Sequence, residues 1–400
     1  MSYCSPAMEN AWRGYLKGVE AVRRLIYEHP FAALPEGRDR AHYLFHQVQA
    51  AGFNVAFGPR QESPRFFANI LFEPSVYGWT SPGADFVYRK AFVDGSRSYR
   101  IWGKRSNANL TTLQVMGAYW DDPAQMADLG YNSLDDFTSP DGSFEFIASP
   151  EYQEGHWVKL DPSKRKIVLM IRDIFNDWEN ETGSEVHIEM LGPPASVHGL
   201  DEGEIIARME GAVRFMHYVV STYSATMIED AQKRGGYNTL TDYGLGKSHA
   251  NSGVNPIGGF FTAFYSIEED EAWIVELRDL KARHWTFQHS DLWHQAVNYI
   301  DHQSSLNGHQ AIADSDDVVR IVVSMTDPGV PNWIDTLGLG KGGIDFRFLY
   351  PDKIPEIRSQ LVKLNDLRAA LPDTTPRVDV EARAKILRAR RRAGLRRWGY

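Results

Sequence analysis

Phe86-Val-Tyr-Arg-Lys-Ala-Phe-Val93, then Asp94-Gly95, then Tyr99-Arg-Ile-Trp102 follow one another in the chain, and this stretch decides the fold class. Apolar residues alternate on both sides of an Asp-Gly pair, which is the signature of a β-hairpin. Leu113 to Tyr119 extends the sheet, and a second Asp-Gly at Asp141-Gly142 precedes Phe144-Glu-Phe-Ile147. Lys166 to Ile171 and Val186 to Met190 read as further short strands. Strands so short and closely spaced indicate a sandwich or barrel, not a parallel α/β sheet.

Upstream, Met8 to Tyr27 predicts an amphipathic helix, with Trp12, Tyr15, Leu16, Val19, Val22 and Ile26 spaced for one face. Gly37 to Ala51 predicts a second, stopped by Gly52. Downstream, Glu202 to Arg234 is a long helical run, and Asp242 to Gly259 a loop rich in Gly, Asn and Ser. Strands resume at Phe260–Ile267, Glu271–Arg278, Trp285–His289, Val319–Ser324 and Ile344–Leu349; helices are expected over Lys353–Leu371 and Val380–Leu395. No internal repeat is visible at a fixed period. The expected architecture is mainly β with flanking helices: one jelly-roll-like β-sandwich or two, with helical N- and C-terminal segments. The corresponding divisions are 1–75 (helical), 76–200 (first β domain), 201–240 (connecting helix), 241–352 (second β domain) and 353–400 (C-terminal helices with an Arg-rich tail).

Hydrophobic residues make up 43% of the 400 and charged residues 24%, enough for a large core. No run of 18 apolar residues occurs, so no transmembrane helix is expected. The first twenty residues carry Glu9, Arg13, Lys17 and Glu20 and lack the apolar stretch of a secretory signal. A single cysteine, Cys4, fits a reducing cytoplasm. The net charge of −9 is unevenly placed: residues 377–400 hold eight Arg and one Lys against Asp379 and Glu381. The remaining acidic body argues against nucleic-acid binding. The basic tail is expected to pack as a helix on the acidic body of its own or a neighbouring subunit, and a homo-oligomer is anticipated.

No glycine-rich nucleotide loop is present: Gly338-Leu-Gly-Lys-Gly-Gly343 has the wrong spacing and reads as a hairpin turn. There is no H-E-x-x-H, paired C-x-x-C or G-x-S-x-G motif, so no cofactor is expected. Histidines cluster at His284, His289, His294, His302 and His309. A metal-dependent enzyme using this cluster, with Asp291, is one alternative, but the spacing matches no familiar triad. Ordinary hydrogen-bonded histidines are the expectation, and no metal site is assigned.

The densest motifs run from Trp285 to Arg347. Trp285-x-Phe-x-x-x-Asp-x-Trp293 is followed by Asn298-Tyr-x-Asp-x-Gln-Ser-Ser-Leu-Asn-Gly-His-Gln-Ala311, by Asp327-Pro-Gly-Val-Pro-Asn-Trp-Ile-Asp-Thr336, and by Phe346-Arg347. Residues 255–350 thereby resemble the bacterial domain-of-unknown-function family numbered twelve-fourteen. Upstream, Tyr99-Arg-Ile-Trp-Gly-Lys-Arg105 and Arg172-Asp-x-Phe-x-Asp-Trp-x-x-Glu181 look like the N-terminal region of its longer members. The resemblance implies a jelly-roll-like sandwich and no particular reaction.

The residues themselves suggest candidates. Glu276 lies inside the apolar strand Trp273-Ile-Val-Glu-Leu277; burial without a partner would raise its pKa and suit a general acid, whereas an ion pair with Arg278 or Arg347 would not. Asp173 and Asp177 stand in an acid-rich stretch beside Arg172 and complete a candidate catalytic set. Asn332, Trp333 and Asp335 lie on a loop braced by Pro328 and Pro331, and with Asn307, Gln310 and Arg347 they are the candidate substrate-binding residues. Together they indicate a hydrolase or lyase with carboxylate acid–base chemistry on a carbohydrate or other polyhydroxylated small molecule. The alternative is a non-catalytic binding or oligomeric assembly protein.

Overall fold

The computed structural model describes residues 4–58, 61, 63–68, 78, 80–192, 201–243 and 258–398. The expected loop over 242–259 lies almost wholly outside them.

Two helices come first. Helix α1 (Pro6–Tyr27) starts at the Ser5 cap with proline in its first turn. Helix α2 (Pro35–Ala56) runs straight through Gly52. That glycine is a contact point: a Cβ there would stand 3.1 Å from the Ala212 carbonyl oxygen and the Met216 side chain. Those two residues belong to α3 (Glu202–Tyr218), which Gly18 of α1 also approaches closely, at Val213. The expected long helix over 202–234 breaks at a π-turn, Val219–Tyr223, before α4 (Ala225–Gly235). Helix α3, far along the chain, thus packs with α1 and α2 as one group.

The first half contributes β1 (Phe67–Ala68), β2 (Phe86–Val93), β3 (Tyr99–Lys104), β4 (Leu110–Gly117), β5 (Ala127–Ser133), β6 (Ser143–Ser149), β7 (Trp157–Lys159), β8 (Ile167–Ile174) and β9 (Glu185–Met190). They form two sheets, β1-β2-β8-β4-β5 and β7-β6-β3-β9. Alternation sends Leu113, Val115, Leu169 and Ile171 into the core between the sheets, against Ile101 and Phe146. The second half contributes β10 (Thr241–Asp242), β11 (Gly258–Ser266), β12 (Glu271–Arg278), β13 (Lys281–Ser290), β14 (Ser305–Asn307), β15 (Val319–Ser324), β16 (Trp333–Asp335), β17 (Lys341–Lys353) and β18 (Glu356–Lys363). Its sheets are β10-β11-β17-β13-β14 and β16-β15-β12-β18. Strand for strand, this is the topology of the first half, down to the parallel β6–β7 and β15–β16 pairs. The fold is a duplicated jelly-roll-like β-sandwich, although no repeat is visible in the sequence.

Residues 356–363, expected to be helical, are instead strand β18, paired with β12 throughout. The second sandwich therefore extends to Lys363. Short α5 (Leu367–Ala370) follows, and α6 (Val380–Trp398) closes the described chain. Among the described residues no helix is long and apolar enough to cross a membrane.

Helix α6 docks on its own chain through arginines spaced seven apart, a spacing that places them on one face. Arg383 binds Asp327 at 2.8 Å and the Val330 carbonyl at 2.5 Å. Arg390 donates to the Tyr299 carbonyl and Ser305 Oγ, both at 2.5 Å. Arg397 donates to the Ala84 carbonyl at 3.0 Å and lies over the Trp178 ring. All three side chains are buried. The basic tail is thus a clamp across the two halves.

Candidate functional site

The acids singled out in the sequence do not meet. Glu276 faces outward from the second sandwich and is held by Arg278 at 2.7 Å and Arg320 at 3.0 Å. Partial burial pushes its pKa up, but those two arginines outweigh it and leave the pKa lowered, the reverse of what a general acid needs. Asp173 is fully buried at the rim of the first sandwich, paired with Arg89 and accepting from Thr111 Oγ1 at 2.9 Å and Ser184 N at 3.0 Å. Asp177 folds its own turn, accepting from Glu179 N at 2.9 Å and Asn180 Nδ2 at 2.7 Å. Among the described residues no hydrogen bond or ion pair joins any two of these acids.

Most of the expected binding residues are also structural. Asn307 Nδ2 donates to Asp85 at 2.6 Å and to the Asn176 carbonyl at 3.0 Å, tying the halves together. Gln310 Oε1 accepts from Asn307 N at 3.3 Å. Asn332 Nδ2 donates to the Ile312 carbonyl at 2.6 Å, Asp335 pairs with His302 at 2.8 Å, and Trp333 is packed beneath α5 and Arg383. The histidines scatter: His284 contacts Asn176, His289 contacts Tyr265, His294 contacts Asp345, and His309 lies 3.7 Å from Asp177. Among the described residues no group of three His, Cys, Asp or Glu could hold a metal ion. Arg347 alone leads to a different place.

That place is the layer where the inner sheets of the two sandwiches meet. Strand β2 turns Tyr88, Lys90 and Phe92 away from its own core, alongside Thr112 and Gln114 of β4 and Arg172 of β8. The second inner sheet supplies Thr286 and Gln288 of β13 with Asp345 and Arg347 of β17. Gln288 Oε1 accepts from Ala84 N at 2.7 Å and Arg347 donates to the Ser81 carbonyl at 2.7 Å, so the approach to β2 is fastened to the opposite half.

Cations dominate this layer. Lys90 is 1% exposed and shares a hydrogen bond with the Tyr119 hydroxyl, its ammonium 4.2 Å from that ring. Burial drops the Lys90 pKa well below its ordinary value, and the Arg172 charge adds to the drop. Arg172 is 2% exposed and donates to Gln114 Oε1 at 2.6 Å. Burial raises the Tyr88 pKa, opposed by the charges of both Arg347 and Arg172, which places this hydroxyl within electrostatic reach of both halves. Asp345 is fully buried between Arg347 and His294, each at 3.0 Å. Burial pushes its pKa up, but His294 and Arg347 outweigh that and hold it down to about 2.

Asp345 therefore makes stability depend on pH. Its folded pKa lies below the unfolded value near 3.9, so its contribution is fully present above that pH and is lost as pH falls toward about 2. The amount is on the order of 2 kcal/mol. Urea unfolding of wild type and Asp345→Asn between pH 5 and 2 is expected to show a steeper loss for wild type. Parallel curves would show that Asp345 is not held in this way.

Sequence reasoning missed Lys90, Tyr88 and Gln114. The signal was a lysine inside an apolar strand, on the same face as Tyr88 and Phe92. A separate hollow of about 660 Å³ lies outside, between α3 and the first sandwich. Its charges largely neutralise one another: Lys166 with Asp121 and Arg208 with Glu204 at 2.5 Å, Arg165 with Asp94 at 3.5 Å.

No family model matches the chain, and no curated protein matches it. Among solved structures, an uncharacterised protein from Burkholderia cenocepacia is similar over 90% of this chain and 98% of its own, with a TM-score of 0.81 and 22% identity. That likeness shows the fold alone. The VPA0106 protein from Vibrio parahaemolyticus aligns with 86% of this chain and 100% of its own, at a TM-score of 0.42 and 10% identity.

Proposed function

We propose that the protein is a hydrolase or lyase acting on a small, anionic, polyhydroxylated molecule held between its two sandwiches. Lys90 and Tyr119 take the acid–base role first assigned to Glu276, Asp173 and Asp177. One observation carries this reading: a buried lysine stands on the same face as buried Arg172, whose guanidinium lies 5.9 Å from the Tyr88 ring. A lysine whose pKa is lowered by burial is neutral more often near pH 7 and can accept a proton. A guanidinium neutralises a carboxylate or phosphate and so acidifies the carbon–hydrogen bond next to a carboxylate, the proton a lyase removes. The Tyr119 hydroxyl, hydrogen-bonded to Lys90, is placed to return a proton.

Thermal-shift measurements on the purified protein test this with sugar acids, sugar phosphates and the matching uncharged sugars. Stabilisation by an anionic member alone is expected. No shift with any anion, or equal shifts with the uncharged sugars, would overturn the reading. Lys90 also separates function from stability. Burial disfavours the charged form of Lys90, so an apolar side chain of similar length removes a group that is costly to bury. Lys90→Met is therefore expected to keep or raise the urea midpoint; a loss above about 2 kcal/mol would show that the amine and its hydrogen bond to Tyr119 support the fold.

A second reading, a binding or assembly protein, is favoured by exposed apolar side chains on the N-terminal helices: Trp12, Leu16, Tyr43 and Phe53. Association into a homo-oligomer belongs to that reading, and a monomer by light scattering would count against it. A cytoplasmic location and kinship with the twelve-fourteen family are proposals too. The first is supported by the lone exposed Cys4, the second by the motifs between Trp285 and Arg347.

A further inference from the structure

The duplicated fold carries a duplicated group of side chains. Arg172 on β8 pairs in register with Tyr88 on β2 and Thr112 on β4. Arg347 on β17 pairs in register with Phe260 on β11 and Thr286 on β13. One position further along the same face stands a glutamine in each half, Gln114 opposite Met170 and Gln288 opposite Asp345. Each guanidinium also lies near the ring of its strand partner, 5.9 Å from Tyr88 and 5.0 Å from Phe260. The equivalent positions thus repeat an Arg-Thr-Gln group.

Two further observations point these groups at a ligand. The hydroxyls of Thr112 and Thr286 are buried and find no hydrogen-bond partner among the described residues; the same holds for Nη1 of Arg347. Buried polar atoms are nearly always partnered, and leaving them bare is costly. Arg347 donates to the Ser81 carbonyl at 2.7 Å, Gly83 N of the same segment donates to the Tyr88 hydroxyl at 3.3 Å, and the Arg172 guanidinium lies 5.9 Å from the Tyr88 ring, so the two groups are neighbours. Resting on the anion-binding reading above, we propose that the ligand carries two acidic groups, one held by Arg172 with Thr112 and the other by Arg347 with Thr286. Guanidinium donors suit carboxylate and phosphate oxygens alike through paired hydrogen bonds. The halves differ where reaction needs them to: the position of Lys90 is Thr262 in the second half, so the acid–base group serves one end of the ligand.

Isothermal titration of the full chain tests this with dicarboxylates from succinate to suberate, their monomethyl esters, and phosphorylated hydroxy acids. At least one doubly acidic compound is expected to bind roughly 30-fold or more tightly than its singly acidic counterpart. The dicarboxylate and phosphate arms show which acid is preferred. Arg172→Gln and Arg347→Gln should each remove that advantage while the singly acidic compound still binds. If Arg347→Gln fails to fold by near-ultraviolet circular dichroism, Arg347→Lys, which keeps the charge but not the paired donors, should lose most of the advantage. Equal affinities for the two kinds of compound would overturn the two-acid proposal and leave the anion reading standing. Absence of binding by either would overturn both.

Discussion

Asp85→Ala is expected to lose about 3–5 kcal/mol of unfolding free energy, the range for stripping a buried charge from its partners. Asp85 is 1% exposed and accepts from Trp178 Nε1 at 2.7 Å and Asn307 Nδ2 at 2.6 Å. His284 Nε2 lies 3.7 Å away. Arg390 and Arg397 of α6 reach the same junction. Burial lowers both their pKa values; Asp85 opposes this at Arg390, and Tyr299 and Asp85 oppose it at Arg397. One carboxylate therefore connects the first sandwich, Asn307 of the second and the C-terminal helix. Asp85→Asn keeps the shape and one acceptor oxygen but not the charge, so an intermediate loss is expected. Urea unfolding measures both variants, and proteolysis at α6 should accelerate in the alanine variant. A loss under about 1 kcal/mol would mean that the two arginines do not depend on Asp85.

Arg172→Gln is expected to weaken binding of the best anionic ligand by roughly 2–5 kcal/mol, about 30-fold or more, as when one member of a buried charge pair is truncated. Arg97→Gln, in the outer hollow beside Arg165, serves as the control and should leave affinity unchanged. The reverse pattern would move the site to that hollow. Salt separates the two as well, since a buried pair is screened far less than an exposed one. Affinity at the inner layer should fall only modestly between low and physiological ionic strength.

Much of the fold could be read from local pattern. The strands beside Asp94-Gly95 and the helix α1 appear where propensity places them, but the expected hairpin does not form: β2 pairs with β1 and β8, β3 pairs with β6 and β9, and the Asp-Gly turn carries the chain from one sheet of the sandwich to the other. Residues 356–363 were misread because Ile357 and Leu361 fit a helical stripe as well as a strand, and only pairing with β12 decides between them. Gly52 looked like a helix stop because close packing against α3 leaves no local trace. The duplication stayed hidden because few side chains of the inner sheets recur at equivalent positions, among them Ala91 and Ala263, Phe92 and Phe264, Thr112 and Thr286, Gln114 and Gln288, Arg172 and Arg347. The candidate site was harder still. Glu276 was legible as a carboxylate in an apolar strand, but Arg320, its second partner, comes from a neighbouring strand. Lys90 and Arg347 lie more than half the chain apart, and nothing local to either shows that their faces meet.

Bromide replaces small anions and is visible by its anomalous scattering, so crystals soaked in sodium bromide test the central claim directly. A peak between Arg172 and Arg347, beside Lys90, is the expected result. Peaks confined to Arg97 and Arg165 in the outer hollow, with none at the layer between the sandwiches, would contradict it.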